Sequence, residues 1–388
     1  QADAIAVAFA PVDLWWAVLS TTLIFGFGPL LATRRHSSFE DLLRPVVRVA
    51  LASTLVFLLF APWMVAVLAP GLPAATAELA ARLLCLTALA IPAVAWSALL
   101  TALLYSERRF AFAAFHQGAV NLCTIVTALL LETRDHSATG FAAGYALGAW
   151  LQLAVAWRIS RRLVEARPPG SQAVDWSKLL AGPAPVLCYS ALIGLNPVVT
   201  RALASTFGPG STAAFDYCLK LVGVPLALLV IPLSSSLLTE IAPFRLRGDR
   251  RAALGAMGRA ALLTALGAAV IVMLMMAVAP WVVAVLFERG RFGAASTSTV
   301  AAMLAGFFPV LIAWSVLDII SRSLFALGRP RAPLAAAAVA LLINLAVSTL
   351  APRQSVHWIG LGAIAGFVAA AGLILIHLRR HYGTETAA

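Results

Sequence analysis

Apolar runs about as long as a lipid bilayer is thick recur from one end of this 388-residue chain to the other. Crossing a hydrocarbon core of about 30 Å takes roughly 20 apolar residues in a helix. Eleven such runs stand at 5–31, 46–69, 80–104, 110–131, 138–157, 179–203, 212–242, 255–287, 296–327, 332–351 and 356–378. Backbone amides inside lipid must pair within their own segment, and the Ala/Leu/Val runs lack the polar alternation of a membrane barrel. The predicted fold class is therefore an all-α polytopic membrane protein. Composition agrees, because only 11% of residues are charged, against about 25% in soluble domains.

A net charge of +12 would point to nucleic acid in a soluble protein. Here it has another use. With residue 1 outside, twenty of the twenty-eight Lys and Arg residues fall in inner loops and the span ends beside them, Arg34, Arg35, Arg161, Arg162, Arg250 and Arg251 among them. Basic residues gather on the cytoplasmic side of membrane proteins and set their orientation. The expected partner of this charge is the bilayer, and no nucleic acid is expected.

The chain also repeats itself. Ala61-Pro62-Trp63-Met64-Val65-Ala66-Val67-Leu68 returns as Ala279-Pro280-Trp281-Val282-Val283-Ala284-Val285-Leu286, 218 residues further on. Trp96-Ser97 returns at the same separation as Trp314-Ser315, and Asn121-Leu122 returns as Asn344-Leu345. A repeat this long is a domain-scale unit, not a solenoid or a propeller blade. It divides the chain into an N-terminal bundle of five spans (1–157), a cytoplasmic linker (158–178) containing Pro168-Pro169-Gly170, and a C-terminal bundle of six spans with a short tail (179–388). Counting back 218 residues from 179 places the start of the first unit about 39 residues before Gln1, so a further first helix is expected and twelve spans are inferred. Two pseudo-symmetric helical bundles of like orientation around a central cavity are the plan of an alternating-access transporter.

Charges within spans are costly and are functional candidates by default. Lys220 and Asp216 are four residues apart on one helix, which permits either a cavity contact or a local pair. Asp318 and Arg322 repeat the arrangement, with snorkelling to the inner interface as the alternative for Arg322. Arg82 and Arg201 lie near the outer ends of their spans, where basic residues also serve as anchors. Asn196, Asn344 and the group His116, Gln117 and Asn121 are read as hydrogen-bonding partners between helices. Pro11, Pro92, Pro225, Pro232 and Pro309 should bend their spans. The cysteines Cys85, Cys123, Cys188 and Cys218 have no paired spacing and read as small apolar residues.

Neither a phosphate-binding loop of the Walker type nor a metal-ligand or nucleophile constellation occurs in the sequence. The chain is predicted not to be an enzyme and to use no cofactor. Membrane potential or an ion gradient is then the energy source, each charge moved being worth about 2.3 kcal/mol per 100 mV. Asp216 and Asp318 are the expected coupling carboxylates.

Several stretches resemble the MurJ/MviN family of lipid II flippases, within the multidrug and oligosaccharidyl-lipid exporter superfamily. They are Gly208-Pro209-Gly210-Ser211 through Tyr217, Leu219-Lys220-Leu221 and Pro225; Leu286-Phe287-Glu288-Arg289-Gly290-Arg291-Phe292; and Ser321-Arg322 with Phe325-Ala326-Leu327-Gly328 and Arg331-Ala332-Pro333. Ala2-Asp3-Ala4 with Val7-Ala8-Phe9, and Ala61-Pro62-Trp63 with Leu68-Ala69-Pro70-Gly71, extend the likeness over nearly all of the chain. The resemblance implies a polyprenyl pyrophosphate carrying the peptidoglycan disaccharide-pentapeptide as cargo, carried from the inner to the outer leaflet of the bacterial cytoplasmic membrane. It places Lys220 where the family has an arginine important for transport, leaves Arg82, Arg201 and Arg322 as further headgroup contacts, and matches Asp3 to an acidic position that would pair with an arginine on the expected first helix. Protein partners are not implied. Trp15-Trp16 stands where the family usually has two arginines, and the chain stops at Ala388, where the family typically adds two helices. These departures keep a flippase for another lipid-linked glycan, such as an exopolysaccharide unit, as the alternative. A multidrug antiporter and a non-transporting scaffold stand behind it.

Overall fold

The computed structural model describes residues 1–22, 39–107, 109, 118–132, 137–165, 184–230, 250–288, 292–350 and 356–382. Among these residues there are thirteen α-helices and no strand. The first six are α1 (Ala2–Thr22), α2 (Phe39–Leu68), α3 (Ala74–Ala88), α4 (Ile91–Ser106), α5 (Gly118–Glu132) and α6 (Ser137–Glu165). They are followed by α7 (Ala184–Ala204), α8 (Ser211–Pro225), α9 (Arg250–Phe287), α10 (Ala294–Phe307), α11 (Val310–Ala326), α12 (Arg331–Leu350) and α13 (Leu361–Tyr382). Each of the eleven expected spans carries a helix. Seven described helices are long and apolar enough to cross a membrane, and nine spans result when each of two bent helix pairs counts as one. The other two expected spans, 110–131 and 212–242, run partly outside the described residues.

The chain forms two compact units, Gln1–Ala191 and Leu192–Ala388, and the division falls within α7. The expected linker at 158–178 begins inside α6, which continues to Glu165, and the rest of it lies outside the described residues. In the first unit, α3 and α4 pack against α1, α2 and α6, with Leu83, Leu84, Ile91 and Leu99 wholly enclosed. In the second, Phe215 meets Phe307 edge to face at 5.0 Å, and Trp314 stacks on Phe367 at 5.4 Å. Such aromatic pairs add roughly 0.5–1.5 kcal/mol beyond the area they bury.

Burial repeats with the sequence. Ala61 and Val65 of α2 are buried, and so are Ala279 and Val283 of α9, while Trp63 and Trp281 stand 66% and 68% exposed. Leu55 and Leu59 on α2, and Leu263 and Leu274 on α9, share this outward apolar surface. A surface of that kind is suited to lipid and unsuited to water.

Both units break one span at the same place. The pair α3–α4 bends by 42°, and α10–α11 bends by 45°. The breaks at Leu89-Ala90 and Phe308-Pro309 stand about 219 residues apart, in line with the repeat. About two turns beyond each break, Ser97 and Ser315 donate to the carbonyls of Ala93 and Leu311, both at 2.6 Å. A span interrupted at corresponding positions of two halves is a mark of transporter folds.

Helices α5 and α6, and likewise α12 and α13, approach closely through glycine. A Cβ on Gly144 of α6 would strike Thr127 and the backbone of Cys123 and Thr124 on α5, and one on Gly362 of α13 would strike Ser348 and Asn344 on α12. Small residues four apart, Gly140 with Gly144 and Gly362 with Gly366, let the backbones meet.

Candidate functional site

The tight return between α7 and α8 is set by glycine. After a 3-10 turn at Ser205–Phe207, Gly208 has φ 108° and Gly210 has φ 87°, values that a residue with a Cβ rarely adopts. The chain therefore doubles back at once, and the end of α7 lies beside the start of α8. Arg201, one turn from the end of α7, meets Asp216 in the second turn of α8.

Three charges gather there. Arg201 donates from Nη2 to Oδ1 of Asp216 at 2.8 Å, and Lys220 Nζ lies 3.0 Å from Oδ2 of the same carboxylate. The cations differ in surroundings, with the Arg201 side chain 7% exposed and that of Lys220 64% exposed. Two cations share one carboxylate, so the cluster keeps one net positive charge. Lys220 also lies 5.7 Å from the ring centre of Tyr217. Tyr217 in turn packs on Phe287 at 4.6 Å and on Phe292 at 5.6 Å. Both phenylalanines belong to the Phe-Glu-Arg-Gly stretch, whose Glu288 accepts a hydrogen bond from Thr297 at 2.9 Å. Arg289, Gly290 and Arg291 of that stretch lie outside the described residues.

Lys220 stands nine residues into α8, about 13 Å along its axis. Asp216, Lys220 and Val224 share the open face of this helix, and Phe215, Cys218 and Val222 face inward. A cation at this depth is costly in hydrocarbon and is a functional candidate by default. Beyond Pro225 the helix widens into a π-helical turn at Leu226–Val230, a distortion frequent at functional positions.

Arg322 donates from Nε to Oδ2 of Asp318 at 2.8 Å on α11, both side chains being only partly exposed. The positions 218 residues earlier, Leu100 and Leu104 on α4, are fully buried and apolar, so the pair is particular to the second unit. Arg82 pairs with Glu78 on an open face of α3 in the first unit, the kind of exposed ion pair that contributes little. Asp3 is buried in the first turn of α1, where the helix dipole favours a carboxylate. Trp15 donates to Ser53 Oγ at 3.1 Å and ties α1 to α2 at the place where the resemblance leads one to expect arginine. Among the described residues, no three His, Cys, Asp or Glu side chains form a metal-holding group.

Fifteen residues separate Arg201 from Asp216, too many for a spacing along one helix to pair them. The glycines at 208 and 210 were the available signal, since a return so tight puts the two helix ends side by side. The interhelical role expected of Asn196 and Asn344 is found. Asn344 Nδ2 donates to Asn196 Oδ1 at 3.1 Å, and Ser348 donates to Asn344 Oδ1 at 3.0 Å. Asn121, for which the same role was expected, is exposed instead, and His116 and Gln117 lie outside the described residues.

Solved transporter structures share this architecture. A lipid II flippase MurJ in an inward closed conformation superposes with a TM-score of 0.81 at 18% identity, covering 97% of this chain and 80% of its own. An inward-facing multidrug resistance MATE transporter of the MOP superfamily gives 0.78 at 13% identity, covering 100% of this chain and 94% of its own. A MOP superfamily transporter from Pyrococcus furiosus gives 0.70 at 15% identity, with 98% and 90% covered. At such identities the likeness speaks for fold alone. No curated protein sequence matches this one. The family model for the lipid II flippase MurJ matches residues 18–388, and the chain, a multi-pass helical membrane protein, belongs to that family.

Proposed function

We propose that this protein moves lipid II, the polyprenyl-pyrophosphate-linked peptidoglycan precursor, from the inner to the outer leaflet of the bacterial cytoplasmic membrane by alternating access. The observation that carries this reading is Lys220, an open cation deep on an apolar helix of a MurJ-family chain. A pyrophosphate is multiply anionic and needs cationic donors where it enters a membrane protein. Lys220 is the leading contact, and it holds phosphate as a flexible point charge, without the planar fork that an arginine would present. Arg201 lies behind it through Asp216, and Arg322 and Arg82 are further contacts along the path.

Energy comes from the membrane potential or an ion gradient, with Asp216, Asp318 and Asp3 the acidic groups through which a cation or proton would couple. Transport needs no cofactor. A second reading, transport of a different lipid-linked glycan, is favoured by the Trp15–Ser53 hydrogen bond at the position expected to be cationic. Complementation separates the two. The full-length gene should restore growth to cells depleted of their lipid II flippase, and the Lys220→Ala form should not. Failure of the unaltered gene would favour the second reading, and rescue by both would remove Lys220 from the site.

A further inference from the structure

Asp216 has two oxygens and spends them on two cations of opposite character. Oδ1 takes Arg201, which is almost wholly enclosed, and Oδ2 takes Lys220, which is mostly open. Arg201 Nε is buried with no hydrogen-bond partner among the described residues, and so is the Thr212 hydroxyl one turn before Asp216. Asp216 is thus the acid that compensates the buried guanidinium. In the low dielectric around Arg201 that attraction is strong, whereas the open ammonium of Lys220 is solvated and screened. Lys220 also sits on a flexible four-carbon stem, so its head can move several ångströms without the helix moving.

The geometry points to Asp216 as a resident counter-anion of the substrate site. It holds Lys220 while no substrate is present, and an anionic headgroup binds by drawing Lys220 off the carboxylate. This rests on the assignment of Lys220 to the headgroup made above. The exchange leaves no charge uncompensated, because Arg201 and Asp216 remain as a neutral buried pair while Lys220 serves the phosphate. It also runs in reverse. Asp216 competes for Lys220 at every moment, which keeps affinity moderate and favours release, as a transporter requires. A site open for only a fraction of the time binds more weakly by that fraction.

Removing Asp216 alone would strand a buried guanidinium and put the fold at risk. The informative variant is therefore Arg201→Gln with Asp216→Asn, which removes one charge of each sign and leaves the net charge unchanged. The full chain in detergent would be titrated with undecaprenyl pyrophosphate at fixed salt, folding being checked by circular dichroism and thermal unfolding. The double variant should bind about fivefold more tightly than wild type, the gain expected from freeing a lysine held by a pair worth about 1 kcal/mol. Adding Lys220→Gln should abolish the gain. If the double variant binds no more tightly than wild type, or if the gain survives Lys220→Gln, the counter-anion role is wrong. Should wild type and Lys220→Gln bind equally, the Lys220 site itself is wrong and the inference falls with it. If Lys220→Gln weakens binding while the double variant gains nothing, the site stands and only the role of Asp216 is lost.

Discussion

Asn344 on α12 donates to the side chain of Asn196 on α7 at 3.1 Å and to its backbone carbonyl at 3.2 Å, across 148 residues of sequence. Asn344 is fully enclosed, and its own oxygen accepts from Ser348. Replacing Asn344 by Leu strands Asn196 Oδ1 and the Ser348 hydroxyl, so a loss of about 1–3 kcal/mol is expected. Thermal unfolding in detergent reads it. Ser348→Ala, which removes one donor and leaves the Asn pair intact, should cost clearly less, and equal losses would show that the network is not arranged in this order.

Gly144 and Gly362 occupy matching places in the two units, each pressed against a neighbouring helix with no room for a side chain. Gly144→Leu and Gly362→Leu should each force a helix pair apart and lose more than the roughly 1–3 kcal/mol typical of overpacking in a core, because backbone is what the new side chain strikes. Gly223, with open space around its missing Cβ, provides the control. Gly223→Ala should leave membrane expression and melting close to wild type, while the two leucine variants should fall sharply in both.

The sequence made the helices legible because each apolar run is long enough to be read one at a time, and the repeated Ala-Pro-Trp run carried the unit size. Its burial pattern matches in both copies, with Ala61 and Ala279 inward and Trp63 and Trp281 outward. Less legible is which side chains pair when one helix returns against another. Lys220 with Asp216 could be foreseen from a spacing of four, whereas Arg201 with Asp216 required the path of the chain through Gly208 and Gly210. The two bends, by contrast, are legible in the prolines. Pro309 stands in the α10–α11 break and Pro92 two residues past the α3–α4 break, where the chain turns by 45° and 42°. Asn121 differs from its repeat partner in its surroundings, since Asn344 is enclosed and bonds to α7 while Asn121 is exposed.

If the open face of α8 is wet, a cysteine placed there should react with a charged, membrane-impermeant thiol reagent. In a background lacking Cys85, Cys123, Cys188 and Cys218, Lys220→Cys should label readily. Leu263→Cys, on the outward apolar face of α9, should not, although that residue is 65% exposed. Exposure in the structure is similar at the two sites, so the difference isolates water from lipid. Equal labelling at the two positions would rule out a wet face.

Asp318 and Arg322 form an ion pair on the second arm of a bent span, where the other unit has Leu100 and Leu104. The repeat thus supplies its own apolar substitute. Arg322→Leu alone leaves a partly buried carboxylate without its cation, and the loss should lie between the roughly 1 kcal/mol of a surface pair and the roughly 3–5 kcal/mol of a buried one. Changing both, Asp318→Leu with Arg322→Leu, reproduces the arrangement of α4 and should recover most of that stability, since apolar residues often replace a buried ion pair at no net cost. Stability and transport then separate. A double variant that melts like wild type but no longer supports growth in flippase-depleted cells would mark the pair as part of transport. One that melts and transports like wild type would leave it a local device of the helix, and the candidates for coupling would narrow to Asp216 and Asp3.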